Sequence, residues 1–309
     1  MVGHAGTGER VPATTTRMQP TSELSRVSDD SPIISLRLES SPETLTLVRG
    51  MLGGVAELLR LDPELLDDLK TAVSEACNNV VMHAYEGASG PLCICISAEE
   101  DGLVVSVRDQ GRGIPPLAPS DDRLQGVGIP IMRALAQETS FRPQESGGTE
   151  VWMKFAHERD GRPLYTVPDA TTPEDGWSDR LDGDAIVSLS PVNFVGGVLG
   201  RLARAMAARA RFSLDRFSDV YLVTDAVAAH AARTASAARL AFGLTTDTRR
   251  LELVIGPLRP GASSDLTSGA ADDVGSALRL LSDELDVRRD NGAEILRIVM
   301  LDQRARATA

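Results

Sequence analysis

The stretch Glu75-Ala76-Cys77-Asn78-Asn79-Val80-Val81-Met82-His83-Ala84 places a carboxylate, an amide and an imidazole at i, i+4 and i+8 within an otherwise apolar run. At helical spacing Glu75, Asn79 and His83 share one face. Burying such groups without partners costs a few kcal/mol each, so something polar must sit against that stripe. Three glycine-bearing segments follow: Asp109-Gln110-Gly111-Arg112-Gly113, then Gly126-Val127-Gly128-Ile129, then Gly147-Gly148-Thr149 before an apolar strand. In this order they are the landmarks of a nucleotide site.

The 309 residues suffice for two domains, each burying its own core. Apolar and charged fractions of 42% and 25% are those of a soluble globular protein. No run of about 18 apolar residues is present, so no membrane span is expected, and no basic region followed by an apolar core marks a secretory signal. A net charge of -12 argues against nonspecific binding to nucleic acid or anionic lipid and favours a protein or nucleotide partner. Cys93 and Cys95 alternate on one face of a strand and read as packed small hydrophobes, and with Cys77 they suggest a reducing, cytoplasmic setting.

Residues 1–30 have almost no apolar periodicity and read as a flexible tail. A strand is expected from Ile33 to Leu38, a helix from Ser41-Pro42-Glu43, and a second helix from Asp62-Pro63-Glu64 to about Tyr85 carrying the polar stripe. Strands Leu92 to Ala98 and Leu103 to Arg108 meet at Glu100-Asp101-Gly102, leaving Asp109 at a strand end. A mobile loop to Gln125, a helix from Gly126 to about Gln137 and strands near Thr139 to Arg142 and Thr149 to Phe155 close the unit. This order suits a two-layer α/β sandwich over residues 31–156.

Residues 157–184 read as a linker, and 185–301 echo the first unit before a short tail, 302–309. Asp68 to Asn79 is echoed at an offset of 150 (Glu75 to Asp225), the strand ending in Asp109 at 147 (Asp109 to Gly256), and Gly148 at 144 (Gly148 to Gly292). On this alignment Asn79 corresponds to Ala229, Gly111 to Leu258 and Gly113 to Pro260, so the second unit is expected to be a degenerate copy.

At a nucleotide site Asp109 can accept a hydrogen bond from the exocyclic amine of adenine, with Gly111 and Gly113 leaving room for the flat base. Gly126 and Gly128 at a helix start can cradle phosphate through free N–H groups. Asn79 can coordinate Mg2+ through its amide oxygen, and Glu75, one turn earlier, can take a proton from an attacking hydroxyl or water. His83 reads as structural or as support for those groups, while Thr149 either hydrogen-bonds on the adenine side or only starts a strand.

The ordered set Glu75-x-x-x-Asn79-x-x-x-His83, Asp109-x-Gly111-x-Gly113-Ile114, Gly126-x-Gly128-Ile129 and Gly148-Thr149-Glu150-Val151 resembles the N, G1 and G2 boxes and terminal Gly-Thr element of the GHKL (histidine-kinase-like) ATPases. Within them Val73-Ser74-Glu75-Ala76 with Asn79 and His83 is similar to the anti-sigma-factor serine/threonine kinases of bacterial partner switching. The resemblance implies ATP and Mg2+ as cofactors, Glu75 as catalytic base, Asn79 as metal ligand, Asp109 as adenine anchor and residues 111–128 as the ATP lid. Arg123 would be the lid arginine on phosphate, and Gln125 stands where many relatives have a glycine. It also implies phosphorylation of a small STAS-type anti-sigma antagonist, binding of a sigma factor, and a homodimer or an internal pseudo-dimer made with the second copy. An ATP-binding regulatory or scaffold protein without phosphotransfer is the alternative.

Overall fold

A computed structural model describes residues 33–99, 101–113, 127–145, 147–157, 176–264, 266 and 273–302. The ten strands of the described residues form one sheet in the order β4-β5-β3-β2-β1-β6-β7-β8-β10-β9. The first half contributes β1 (Ile34–Glu39), α1 (Thr44–Leu59), α2 (Pro63–Asn79), β2 (Pro91–Glu99), β3 (Gly102–Asp109), α3 (Gly128–Leu135), β4 (Glu138–Pro143) and β5 (Thr149–Ala156). The second contributes β6 (Ala185–Leu189), α4 (Phe194–Arg209), α5 (Leu214–Thr234), β7 (Leu240–Asp247), β8 (Arg250–Leu258), α6 (Asp273–Leu281), β9 (Glu284–Asp290) and β10 (Ala293–Leu301). This is a two-layer α/β sandwich, with helices packed on one face of the sheet.

Alternation along the strands decides which side chains meet the helices. Leu36, Ile94, Val107, Val151 and Met153 point into a core shared with Leu52, Val73 and Cys77 of α1 and α2, and that core continues unbroken into Val187, Leu202, Val227 and Ile298 of the second half. The opposite face carries Cys93 and Cys95, whose Sγ atoms lie 3.7 Å apart, and a buried Arg108–Glu150 ion pair at 2.7 Å. Desolvation by burial and the contact with Cys95 push the Cys93 thiol well up, so it packs as a neutral group.

Two of the expected helix limits move for local reasons. The first helix starts at Thr44 rather than beside Pro42, because the Thr44 hydroxyl, buried, turns back to the carbonyl of Glu39 and takes the N–H of Ser41. The second is α-helical only to Asn79 and continues as a π-turn over Val80–Ala84.

The second half repeats the first element by element, at an offset of 151 through its helices: Leu36 to Val187, Arg60 to Arg211 and Pro63 to Leu214. Arg60 and Arg211, which follow α1 and α4, both adopt left-handed φ values of 53° and 60°. Leu69, Ala72, Val73, Ala76, Cys77 and Val80 are buried, and so are Val220, Val223, Thr224, Val227, Ala228 and Ala231, each 151 residues on. In β2–β3 against β7–β8 the offset is 148 (the pair Ile94↔Val107 against Phe242↔Ile255), and in β5 against β10 it is 145 (Val151 to Leu296).

The halves join edge to edge. β1 pairs antiparallel with β6 about Leu36↔Val187, two residues that are each other's counterparts, with Ser35↔Ser188 beside them. A two-fold relation brings equivalent groups together in this way, as in an isologous dimer contact. On the helical layer α1 crosses α4 where a methyl group on Gly54 would stand 2.6 Å from the carbonyl oxygen of Gly197, and one on Gly50 would meet its counterpart Arg201 at 3.7 Å. No side chain larger than hydrogen fits at Gly54.

Candidate nucleotide site

α2 presents its apolar stripe to the sheet and leaves Glu75 and Asn79 half-buried beside the start of α3. A methyl group on Gly128, the first residue of α3, would lie 2.9 Å from Glu75 Oε2, 3.6 Å from Asn79 Oδ1 and 3.7 Å from Asn79 Nδ2. Glycine at this position lets a helix N-terminus approach both groups, and its partial positive charge favours anionic neighbours by about 0.3–1 kcal/mol. A carboxylate, an amide oxygen and free helical N–H groups thus converge on one spot.

The π-turn changes the third member of the stripe. His83 lies within this turn, after the α-helical succession ends at Asn79, and is exposed. The same turn delivers Ala84-Tyr85-Glu86 to the segment after β3. Arg112 N–H donates to the Ala84 carbonyl at 3.1 Å, and a methyl on Gly111 would stand 2.3 Å from that oxygen, so only glycine permits the approach.

Asp109, at the end of β3, is buried. Burial pushes its carboxyl above the ordinary aspartate value, partly offset by hydrogen bonds from the backbone of Gly111, at 2.8 Å, and of Thr149. Those bonds aim the carboxylate and leave it lone pairs for another donor. Gly113, at φ 76°, runs past Gly148 and the hydroxyl of Thr149, where an added methyl would meet them at 3.4 and 3.9 Å. Gly148, at φ 85°, has no room for a side chain, since a methyl there would lie 2.1 Å from the Asp109 carbonyl oxygen.

The structure therefore brings Glu75, Asn79 and Gly128 into one cluster and Asp109, Gly111, Gly113 and Thr149 into a second, joined through the π-turn. Arg123 and Gly126 lie outside the described residues. One contributor carries no sequence motif. Tyr85 donates its hydroxyl proton to the Pro91 carbonyl at 2.5 Å and accepts the Gln110 N–H at 2.8 Å, clamping β2 to the Asp109 segment. Burial pushes this phenol up to about 12.

Among the described residues no group of three or more His, Cys, Asp or Glu could hold a metal. The donor set nevertheless fits Mg2+ delivered with phosphates. That ion keeps most of its waters and needs one or two protein oxygens, which the Asn79 amide, beside Glu75, supplies.

Residues 38–155 match the family described as Histidine kinase-like ATPase domain. Serine-protein kinase RsbW of Bacillus subtilis is 33% identical over 141 residues, covering 41% of this chain and 87% of that protein. The chain belongs to the histidine kinase-like (GHKL) ATPases, in the family of these serine kinases. The Anti-sigma F factor of Clostridium acetobutylicum is a further member, 35% identical over 105 residues that cover 30% of this chain and 73% of that protein. The ATP binding domain of PrrB from Mycobacterium tuberculosis aligns over 40% of this chain and 98% of its own, at 15% identity and a TM-score of 0.26, too low to bear on function. The family match ends at residue 155, so the GHKL signature lies in the first half of the sheet.

The structural register also identifies what stands at each equivalent position of the second half. Glu75 corresponds to Ala226 and Asn79 to His230. Continuing the β7–β8 offset past Gly256 puts Pro257 at the place of Asp109, next to the bulge where Leu258 faces Glu294, and Arg259 at that of Gly111, while Gly261, at φ 79°, repeats Gly113. Thr149 corresponds to Glu294. The alignment read from sequence is thus displaced by one residue at most of these positions, because burial and cross-strand pairing set the register.

Proposed function

We propose that the chain is an ATP- and Mg2+-dependent protein serine/threonine kinase of the anti-sigma type. It would act in the cytoplasm on a serine of a small STAS-type antagonist and hold a sigma factor when that antagonist is absent. The observation that carries this reading is the convergence of Glu75 and Asn79 on the N-terminus of α3 at Gly128. A module that only bound nucleotide has no use for a carboxylate at that spot. The names of the relatives, a serine-protein kinase and an anti-sigma factor, support the same reading.

In this reading Asp109 accepts the adenine amine, and Gly111 and Gly113 let the base lie flat against backbone. The N–H groups at the start of α3 meet phosphate oxygens. Bound Mg2+, held through Asn79, would neutralise charge on the phosphates. Glu75 takes the proton of the substrate hydroxyl as its oxygen forms a bond to the γ-phosphorus and the bond to ADP breaks, the proton remaining on the carboxylate. The second half contributes no counterpart to this chemistry, since Ala226 and Pro257 carry neither base nor anchor.

The test is incubation of the full chain with γ-labelled ATP, Mg2+ and antagonist proteins of the same organism. Label on an antagonist serine, lost in Glu75→Ala and Asn79→Ala, is the expected result. Nucleotide binding that depends on Asp109, with no label transferred across a broad panel of antagonists, would favour the regulatory alternative.

A further inference from the structure

The second half repeats the elements that frame the first-half site, and at the equivalent places its own side chains bond to one another. Glu294, in the place of Thr149, is 2% exposed, and its carboxylate accepts the N–H of Gly261 at 2.6 Å and of Ser263 at 3.0 Å. His230, in the place of Asn79 and 5% exposed, lies 3.2 Å through Nε2 from the hydroxyl of Ser263, which is wholly buried. Leu266 packs into the core just beyond. In the first half the corresponding glycine, Gly113, instead passes beside a threonine hydroxyl.

We propose that Glu294 is a permanent intramolecular ligand of this second cleft. Its carboxylate takes the backbone N–H groups of the glycine loop, and His230 fastens the same loop to α5, so this half stays closed with no nucleotide and the chain carries one ATP. The inference rests on the reading of the first half as a nucleotide site only for that count.

Charge and geometry argue for the latch together. A buried carboxylate is tolerated when several hydrogen bonds satisfy it, and bonds from N–H to an ionised acceptor are among the stronger ones. A nucleotide entering here would have to displace those bonds and would meet Pro257 in place of an amine acceptor. Among the described residues the cation paired with Glu294 is Arg289, 3.7 Å away and exposed, so the carboxylate is held chiefly by the N–H groups of the loop.

Amide-resolved hydrogen exchange on the nucleotide-free full chain tests the latch without any ligand. The Gly261 and Ser263 amides should exchange on the order of 100-fold more slowly than that of Gly113, consistent with burial and hydrogen bonding. Glu294→Thr, which installs the first half's own residue, should remove that protection, and Glu294→Gln should keep part of it. Calorimetric titration with ATP and Mg2+ should give one site in the wild type and in Glu294→Thr, and that site should be weakened by about 10- to 100-fold in Asp109→Ala. Fast exchange at Gly261 and Ser263 in the wild type, or a second ATP site whose affinity Asp109→Ala leaves unchanged, would overturn the proposal. Protected amides in a chain that binds no ATP would refute the proposed function and leave the latch standing.

Discussion

The two halves of the sheet have one architecture and opposite solutions to the same polar problem. In the first, Glu75 and Asn79 are half-buried beside Gly128, and Asp109 is buried and aimed by the N–H of Gly111. In the second, Ala226 and Pro257 have removed the demand for a ligand, and Glu294 with His230 has met what remained. The same φ-positive glycine, Gly113 or Gly261, serves both. The contrast separates chemistry from scaffold within one chain.

The largest expected effect is on phosphotransfer. Glu75→Gln should lower the labelling rate by roughly 10²- to 10⁴-fold, the range for loss of a general base, while ATP affinity is retained. His230→Asn in the second half should leave the rate unchanged. Equal losses from the two substitutions in the same labelling assay would break the asymmetry.

Next is adenine recognition. Asp109→Ala should weaken ATP binding by about 10- to 100-fold, corresponding to loss of a hydrogen bond to a charged acceptor. Pro257→Asp should add no second site by calorimetry. Because burial raises the Asp109 carboxyl, acidification should protonate it, and so weaken ATP binding, at a higher pH than for an ordinary aspartate. For the same reason ionised Asp109 contributes less to stability than an exposed one. The penalty is absent at low pH, where the carboxyl is neutral in both states, and grows as pH rises from the unfolded pKa through the raised folded one.

The junction of the halves should yield a smaller but global effect. Gly54→Val places atoms against the Gly197 carbonyl and should destabilise by about 1–3 kcal/mol. Thermal unfolding should still show one transition, since the core is continuous across β1 and β6. Two separated transitions would show that the halves fold as independent units. Smallest is Tyr85→Phe, which loses two hydrogen bonds and leaves the Gln110 N–H without its acceptor, for about 1–2 kcal/mol in chemical denaturation. ATP affinity should fall with it.

Much of this was legible in the residues. Apolar spacing placed α1, α2 and α3, alternation placed the strands, and the glycine segments marked the places where backbone approaches backbone, as Gly111 and Gly148 do. Tyr85 left no signal, since a tyrosine after a helix has no distinctive spacing, and its worth lies in two partners distant in sequence. The π-turn that holds His83 was not legible either, since the apolar and polar spacing reads as one continuous α-helix to Tyr85.

The sequence by itself determined the element order of the first half and the two-layer class, and marked the glycine segments, because helical and strand periods are local and a glycine either is or is not present. Tertiary structure alone decided register. A one-residue slip turns a helical side chain by about 100° and a strand side chain to the other face of the sheet, and similar-looking sequences do not resolve it. Cross-strand pairing does, because it couples each residue to partners far along the chain. It is this coupling that sets Glu294, rather than a small neutral residue, opposite the glycine loop, and that joins Leu36 to its own counterpart Val187.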